Sequence, residues 1–188
     1  DQVELGGRFE AATINVQAAV FYGRLTDGIE RVAVSPTQFQ RVNRGEITVP
    51  GAEVMAAWRP LGDLDLSAQY TVLDARVHED GQEQPAEDRP QYLSRIALGW
   101  QGWAGPEALV EARITGPRWS ADGTDPSGLR HLPAGVTWHL RVGWRWPTDH
   151  GEVAAHVRLD NVFDQRVDWQ TGLPEPGRVL SGGLGWTF

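Results

Sequence analysis

Cysteine is absent from the 188 residues, which excludes disulfides and thiolate zinc sites and leaves the redox compartment unread. No stretch approaches the roughly 18 consecutive apolar residues of a membrane-crossing helix, and mean hydropathy is negative. Clustered cations are missing too. There are 17 basic residues against 25 acidic ones, a net charge of −8, which argues against a nucleic-acid surface. Residues Asp1 to Arg8 have neither the basic start nor the apolar centre of a signal peptide, and the chain is expected to begin inside a larger protein.

Present in unusual number are nine tryptophans and 22 glycines. Period-two alternation dominates. Leu64, Leu66, Ala68, Tyr70 and Val72 interleave with Asp65, Ser67, Gln69 and Thr71, and Val136, Trp138, Leu140, Val142, Trp144 and Trp146 interleave with Thr137, His139, Arg141, Gly143 and Arg145. Such a pattern specifies a strand with one apolar and one polar face. The same reading predicts nine strands, near 1–9, 14–32, 39–59, 64–77, 90–103, 107–118, 134–146, 152–162 and 178–188. In the third, Ile47 and Val49 lie out of phase with Val54, Ala56 and Trp58, so a bulge at Pro50-Gly51 is expected.

Short and long connections take turns along the chain, which places the tight turns at one end of a meander and the long loops at the other. Outer-membrane barrels have that asymmetry. Trp58, Trp100, Trp144, Trp146 and Trp186 fall on the apolar phase near the short-turn end, where a ring buried among acyl chains with its N–H at the headgroups forms a membrane girdle. The opposite phase carries Glu111, Arg113, His139, Arg141, Arg145, His156 and Arg158. A dry core would charge several kcal/mol for each unpaired ion, whereas a wet lumen would not. The expected fold is therefore all-β, an antiparallel up-and-down transmembrane β-barrel segment. Since barrels of single bacterial chains close with an even strand count, nine strands are expected to be part of a larger barrel.

Several motifs now resemble those of the TonB-dependent receptors: Asn43-Arg44-Gly45, then Val49-Pro50-Gly51-Ala52-Glu53, Arg89-Pro90, Asn161-Val162-Phe163-Asp164-Gln165, and Gly172 through Arg178 before a last strand ending on Phe188. Val167 departs from the pattern, which commonly has an aromatic there. The resemblance implies that residues 1–188 are the C-terminal part of a 22-stranded barrel whose N-terminal plug and other strands lie outside the chain. It further implies a Gram-negative outer membrane, contact with outer-membrane lipid, recognition of Phe188 by the barrel assembly machinery, and TonB-energised uptake of a small molecule or metal chelate such as a ferric siderophore or cobalamin. A passive porin or structural barrel is the alternative, and a soluble β-protein with a carbohydrate-binding face is a third reading.

For ligand contact, loop residues combining aromatic and basic character are the candidates: Arg118, Trp119, Arg130, His131 and Trp169, since flat anionic chelates favour stacking with charge. Trp119 and Trp169 could equally belong to an outer girdle. Asp122-Gly123-Thr124-Asp125 offers oxygen ligands but lacks the spacing of a calcium loop. Glu79, Asp80, Glu83, Glu87 and Asp88 form an acidic run expected to be a solvated outer loop. His131, His139 and His156 are the candidates for metal or acid–base work, with Ser181 able to face the same lumen and Asp160 on the phase of His156. No catalytic site, cofactor, metal or nucleic-acid partner is expected.

Overall fold

Alternating residues make each long segment a two-faced ribbon, and the ribbons pair with their sequence neighbours. A computed structural model describes residues 1–35, 37–79, 81–125 and 128–188, with the backbone alone at 30–33, 43 and 44. Among these residues there is no helix. The strands are β1 (Gln2–Glu10), β2 (Ile14–Ala33), β3 (Phe39–Leu61), β4 (Leu64–Leu73), β5 (Arg76–Glu79), β6 (Gln82–Pro85), β7 (Tyr92–Gln101) and β8 (Pro106–Thr115). They continue with β9 (Arg118–Ala121), β10 (Leu129–Leu132), β11 (Gly135–Thr148), β12 (Gly151–Asp160), β13 (Asp168–Gln170), β14 (Leu173–Pro174) and β15 (Val179–Thr187). One antiparallel sheet runs β1-β2-β3-β4-β7-β8-β11-β12-β15, and its outermost strands do not meet. These nine are the strands expected from alternation.

Register keeps the two faces separate across the whole wall. Trp58 pairs with Ile14 and Leu66, Leu64 with Trp100, Leu140 with Val110 and Leu159, and Leu184 with Ala155. Each apolar residue therefore meets another on one side, where Leu5, Val142, Val157, Leu180 and Leu184 stand exposed. A one-residue slip anywhere would mix the faces, so the pattern itself fixes the pairing. An apolar sheet face of this extent is stable only against hydrocarbon or another protein.

Three expectations are corrected. Pairing of β2 with β3 passes through Tyr22–Pro50 and Phe21–Gly51 without a register shift, so there is no bulge there. Ile47 and Val49 instead share the polar phase at the loop end. They bury against Ala75, Val77, Ala86 and Leu73, a small apolar cluster above the level of the wall. The irregularity in β3 lies between Trp58 and Leu61, at Pro60, which has no N–H to give to β4. Second, the strand predicted at 64–77 divides: β4 stops at Leu73 and β5 crosses to pair with β3. Third, the acidic run begins on a hairpin rather than in a loop, with Glu83 exposed. Glu79 and Glu83 belong to the β5–β6 hairpin, where Arg76 pairs with Asp74 at 2.6 Å and His78 meets Thr48 Oγ1 at 3.0 Å. Asp80 lies outside the described residues.

Phe21 turns its ring onto Gly51 of the neighbouring strand, on the polar face. A Cβ there would fall inside the ring carbons and stand 2.8 Å from the Val72 carbonyl oxygen. Gly51→Val is expected to cost about 1–3 kcal/mol through overpacking, read as a lower midpoint in urea. Adding Phe21→Ala should recover part of that loss, because one of the two obstacles is then gone.

Candidate functional site

On the polar face the carboxylates lie beneath the arginines that hold them. Glu111, whose side chain is 5% exposed, is gripped by Arg95 across the β7–β8 pair and by Arg113 on its own strand, the latter at 2.6 Å. Glu107 accepts from Arg145 at 2.8 Å and lies 3.3 Å from Arg141, and Gly143 leaves the room it occupies. Lysine is absent from the chain. Both of these clamps are thus built from guanidinium forks suited to bidentate pairing.

Asp160 is held by Arg158 at 2.7 Å and by His139 Nδ1 at 2.7 Å, while His139 Nε2 meets Thr137 Oγ1 at 3.1 Å. The carboxylate can only accept, so His139 donates to it from Nδ1–H. This hydroxyl–imidazole–carboxylate line was not anticipated. Thr137 is only 3% exposed, so its hydroxyl is not offered to a substrate. His156, in turn, lies over Gly183, and Asp160 faces His139 rather than His156.

The outer connections are sewn together around Arg118, which is 1% exposed. Its Nε donates to the Trp169 carbonyl at 2.9 Å, its Nη1 to Gly116 at 3.0 Å, and its guanidinium sits 5.5 Å above the Trp169 ring. Asp88 N donates to the Trp119 carbonyl at 2.7 Å and Gln91 N to Pro117 at 3.0 Å. Gln170 donates to Asp88 Oδ2 at 3.0 Å, and Thr171 N to Ser120 Oγ at 2.9 Å. Loops far apart in sequence form one body. Of the residues proposed for ligand contact, Arg118 and Trp169 are brought together inside this body, and Trp119 packs edge-on against His131 at 5.1 Å on the β9–β10 hairpin. Arg130 lies 4.0 Å from Asp122. The Asp122 turn closes on itself, with Thr124 donating to Asp122 Oδ1 through both its N–H and its hydroxyl. Among the described residues no three His, Asp or Glu side chains are grouped to hold a metal.

Burial raises the carboxyl of Asp88 above the ordinary range, and the charges of Arg118 and Arg89 with the neighbouring Ser120 and Gln170 groups oppose the shift without cancelling it. A raised acid pKa means the folded loops hold the proton more tightly than the unfolded chain. Loop stability is therefore full below the usual aspartate value and falls as pH rises through the raised one. Hydrogen exchange in residues 86–91 is expected to quicken over that window, and Asp88→Asn should flatten the dependence.

At the turn end, Trp144 stacks on Trp146 at 6.2 Å, Trp186 meets Phe188 edge-on at 5.9 Å, and Trp100 Nε1 donates to Asp63 at 3.3 Å. Together with Trp58 these residues share the apolar face. Sequence reasoning missed the opposite rim. Tyr22, Tyr70, Tyr92 and Trp138 stand on the same face toward the loop end, with Tyr70 and Tyr92 stacked at 6.2 Å. Phase would have found them, because all three tyrosines occupy the apolar positions of their strands. Trp119 and Trp169 belong instead to the β9–β10 and β13–β14 hairpins of the loop body.

The motif residues near the end act on the backbone. Asn161, with φ of 49°, donates to the Gln165 carbonyl at 2.8 Å and accepts from the Gln165 N–H at 2.9 Å. Asp164 accepts from Arg178 N at 2.8 Å. Val167 is buried and fills the space over Gly135. The side chains of Asn43 and Arg44 lie outside the described part.

Comparison with known proteins matches this geometry. The family described as TonB dependent receptor-like, beta-barrel, matches residues 1–162. None of the curated proteins matches the chain in sequence. Among solved structures, the siderophore receptor PirA from Acinetobacter baumannii superposes with a TM-score of 0.77 at 16% identity, over 100% of this chain and 31% of its own. The FrpB iron transporter from Neisseria meningitidis (F3-3 variant) gives 0.73 at 16%, over 97% and 30%. The ferric citrate transporter FecA in its unliganded form gives 0.75 at 17%, over 96% and 30%. The chain thus spans about 30% of the length of these structures. It belongs to the β-barrel family of the TonB-dependent receptors.

Proposed function

We propose that this chain forms part of the barrel of an outer-membrane receptor in a Gram-negative bacterium, which takes up a scarce small molecule or metal chelate with energy delivered through TonB. The observation that carries the reading is the two-faced wall: an apolar, aromatic-rimmed exterior and a polar interior of arginine-clamped carboxylates, with tight turns at one end and an interlocked loop body at the other. Such a wall puts hydrocarbon outside and water inside. Family membership and the iron, ferric citrate and siderophore proteins of similar fold support transport rather than enzymatic work. The plug, the remaining strands and the contact with TonB belong to the rest of the receptor, and residues 1–188 are its C-terminal barrel segment.

Uptake of a radiolabelled ferric siderophore panel and cobalamin by cells carrying the full-length gene tests the reading. Accumulation of at least one ligand is expected, abolished by deleting TonB or by a protonophore. Uptake that persists without energy would assign a passive porin instead.

A further inference from the structure

Above the tyrosine rim the outward face of the wall changes chemistry without changing register. β5 pairs with β3 in the register that β4 sets, so one face runs Val20–Ala52–Val72, then Tyr22–Pro50, then Arg24–Thr48–Arg76, then Thr26–Glu46–His78–Glu83. The inward face changes in the opposite sense, since Ile47, Ala75 and Val77 on it are buried. Strands advance about 3.4 Å per residue, which puts the arginine row about 7 Å along the strand past Tyr22. An aromatic rim marks the headgroup level of a bilayer. The arginine row therefore stands beside headgroups, on the same face that meets acyl chains lower down.

We propose that this outward face of β2, β3, β5 and β6 docks the phosphorylated sugar headgroup of an outer-leaflet glycolipid, whose phosphate oxygens accept from Arg24 and Arg76. Arg24 gives Nη2 to Glu46 at 2.6 Å, and its side chain is 50% exposed against 29% for the carboxylate, so the guanidinium is the outer member of the pair. Its Nε and Nη1 remain for a further acceptor, and a guanidinium fork fits a phosphate. Arg76 gives Nε to Asp74 at 2.6 Å and holds Nη1 3.7 Å from Glu83, which leaves Nη2. Here the carboxylates are the more exposed partners, placed to meet the divalent cations that accompany lipid phosphates. Two strand spacings, roughly 10 Å, separate the two arginines. One phosphodiester headgroup reaches only one of them, whereas phosphates carried on linked sugar rings reach both. For lipid on the apolar side and the outer leaflet at the loop end, this rests on the receptor reading.

Full-length receptor in lauryldimethylamine oxide is titrated with deep-rough lipopolysaccharide, with the same glycolipid stripped of its phosphates, and with dioleoylphosphatidylglycerol, and bound lipid is counted by native mass spectrometry. Saturable binding of the phosphorylated glycolipid is expected, with the other two at least tenfold weaker. Replacing both arginines, Arg24→Gln with Arg76→Gln, should weaken it tenfold or more while heat-modifiable gel mobility stays unchanged, which shows that the barrel is folded. No glycolipid binding, equal binding of the dephosphorylated form or of phosphatidylglycerol, or binding indifferent to the double substitution would each overturn the proposal. The comparison of the three lipids needs no variant and decides the matter even if the double substitution fails to fold. Glycolipid binding in a receptor without TonB-dependent uptake would support the docking face and defeat the receptor reading, and uptake with no glycolipid bound would do the reverse.

Discussion

Arg118→Ala is expected to loosen the outer loop body by about 3 kcal/mol, since hydrogen bonds from a buried charged donor contribute roughly 1.5–3 kcal/mol each and are not additive. The substitution strands the Trp169 and Gly116 carbonyls, removes the cation from the Trp169 ring and takes away a positive charge near Asp88. Limited proteolysis and hydrogen exchange should show residues 86–91, 116–132 and 163–177 opening together, because the same contacts join all three. The nine-stranded wall should keep its exchange protection, as its pairing does not pass through Arg118. Arg118→Lys should recover little. An ammonium keeps the charge but cannot fork to two carbonyls while lying flat on an indole. Opening confined to 116–121 would show that the loops are held independently.

Leu140→Arg places a charge in the middle of the apolar face, between Val110 and Leu159. At the midplane of a bilayer such a change costs about 2–4 kcal/mol on a barrel exterior. The full-length receptor should therefore unfold from liposomes at a lower guanidinium midpoint. His139→Arg, one residue away and on the opposite face, makes the comparison sharp. It breaks the bonds to Thr137 and Asp160, yet puts no charge into lipid. A smaller loss at Leu140 than at His139 would mean that the apolar face is packed against protein.

How much of this was visible in the chain itself differs by region, for physical reasons. The wall was readable because a residue repeat of two is imposed by the strand, and lipid on one side with water on the other leaves each position little choice. The mistake at Pro50-Gly51 came from assuming one solvent boundary along all of β3. That strand has 23 residues, about twice what a bilayer needs, and its loop end meets a small apolar cluster on the inner face rather than lipid. The hairpins β5–β6, β9–β10 and β13–β14 were missed since strands of two to four residues are too short to establish a period. Arg118 was singled out for its chemistry, but its place as the hub of the loops was beyond reach, because its partner Trp169 is 51 residues away. The tyrosine rim was legible in the same alternation, which puts Tyr22, Tyr70 and Tyr92 on the apolar phase of their strands.

Because the chain has no cysteine of its own, single cysteines at each position from Val136 to Trp146 can carry a nitroxide in the full-length receptor reconstituted into liposomes. Collision with dissolved oxygen, which concentrates in hydrocarbon, is expected to alternate with period two, peaking at Trp138, Leu140 and Val142 and dropping at Thr137, His139 and Arg141. Peaks at His139 and Arg141 instead, or no alternation at all, would contradict a wall with lipid on its apolar side.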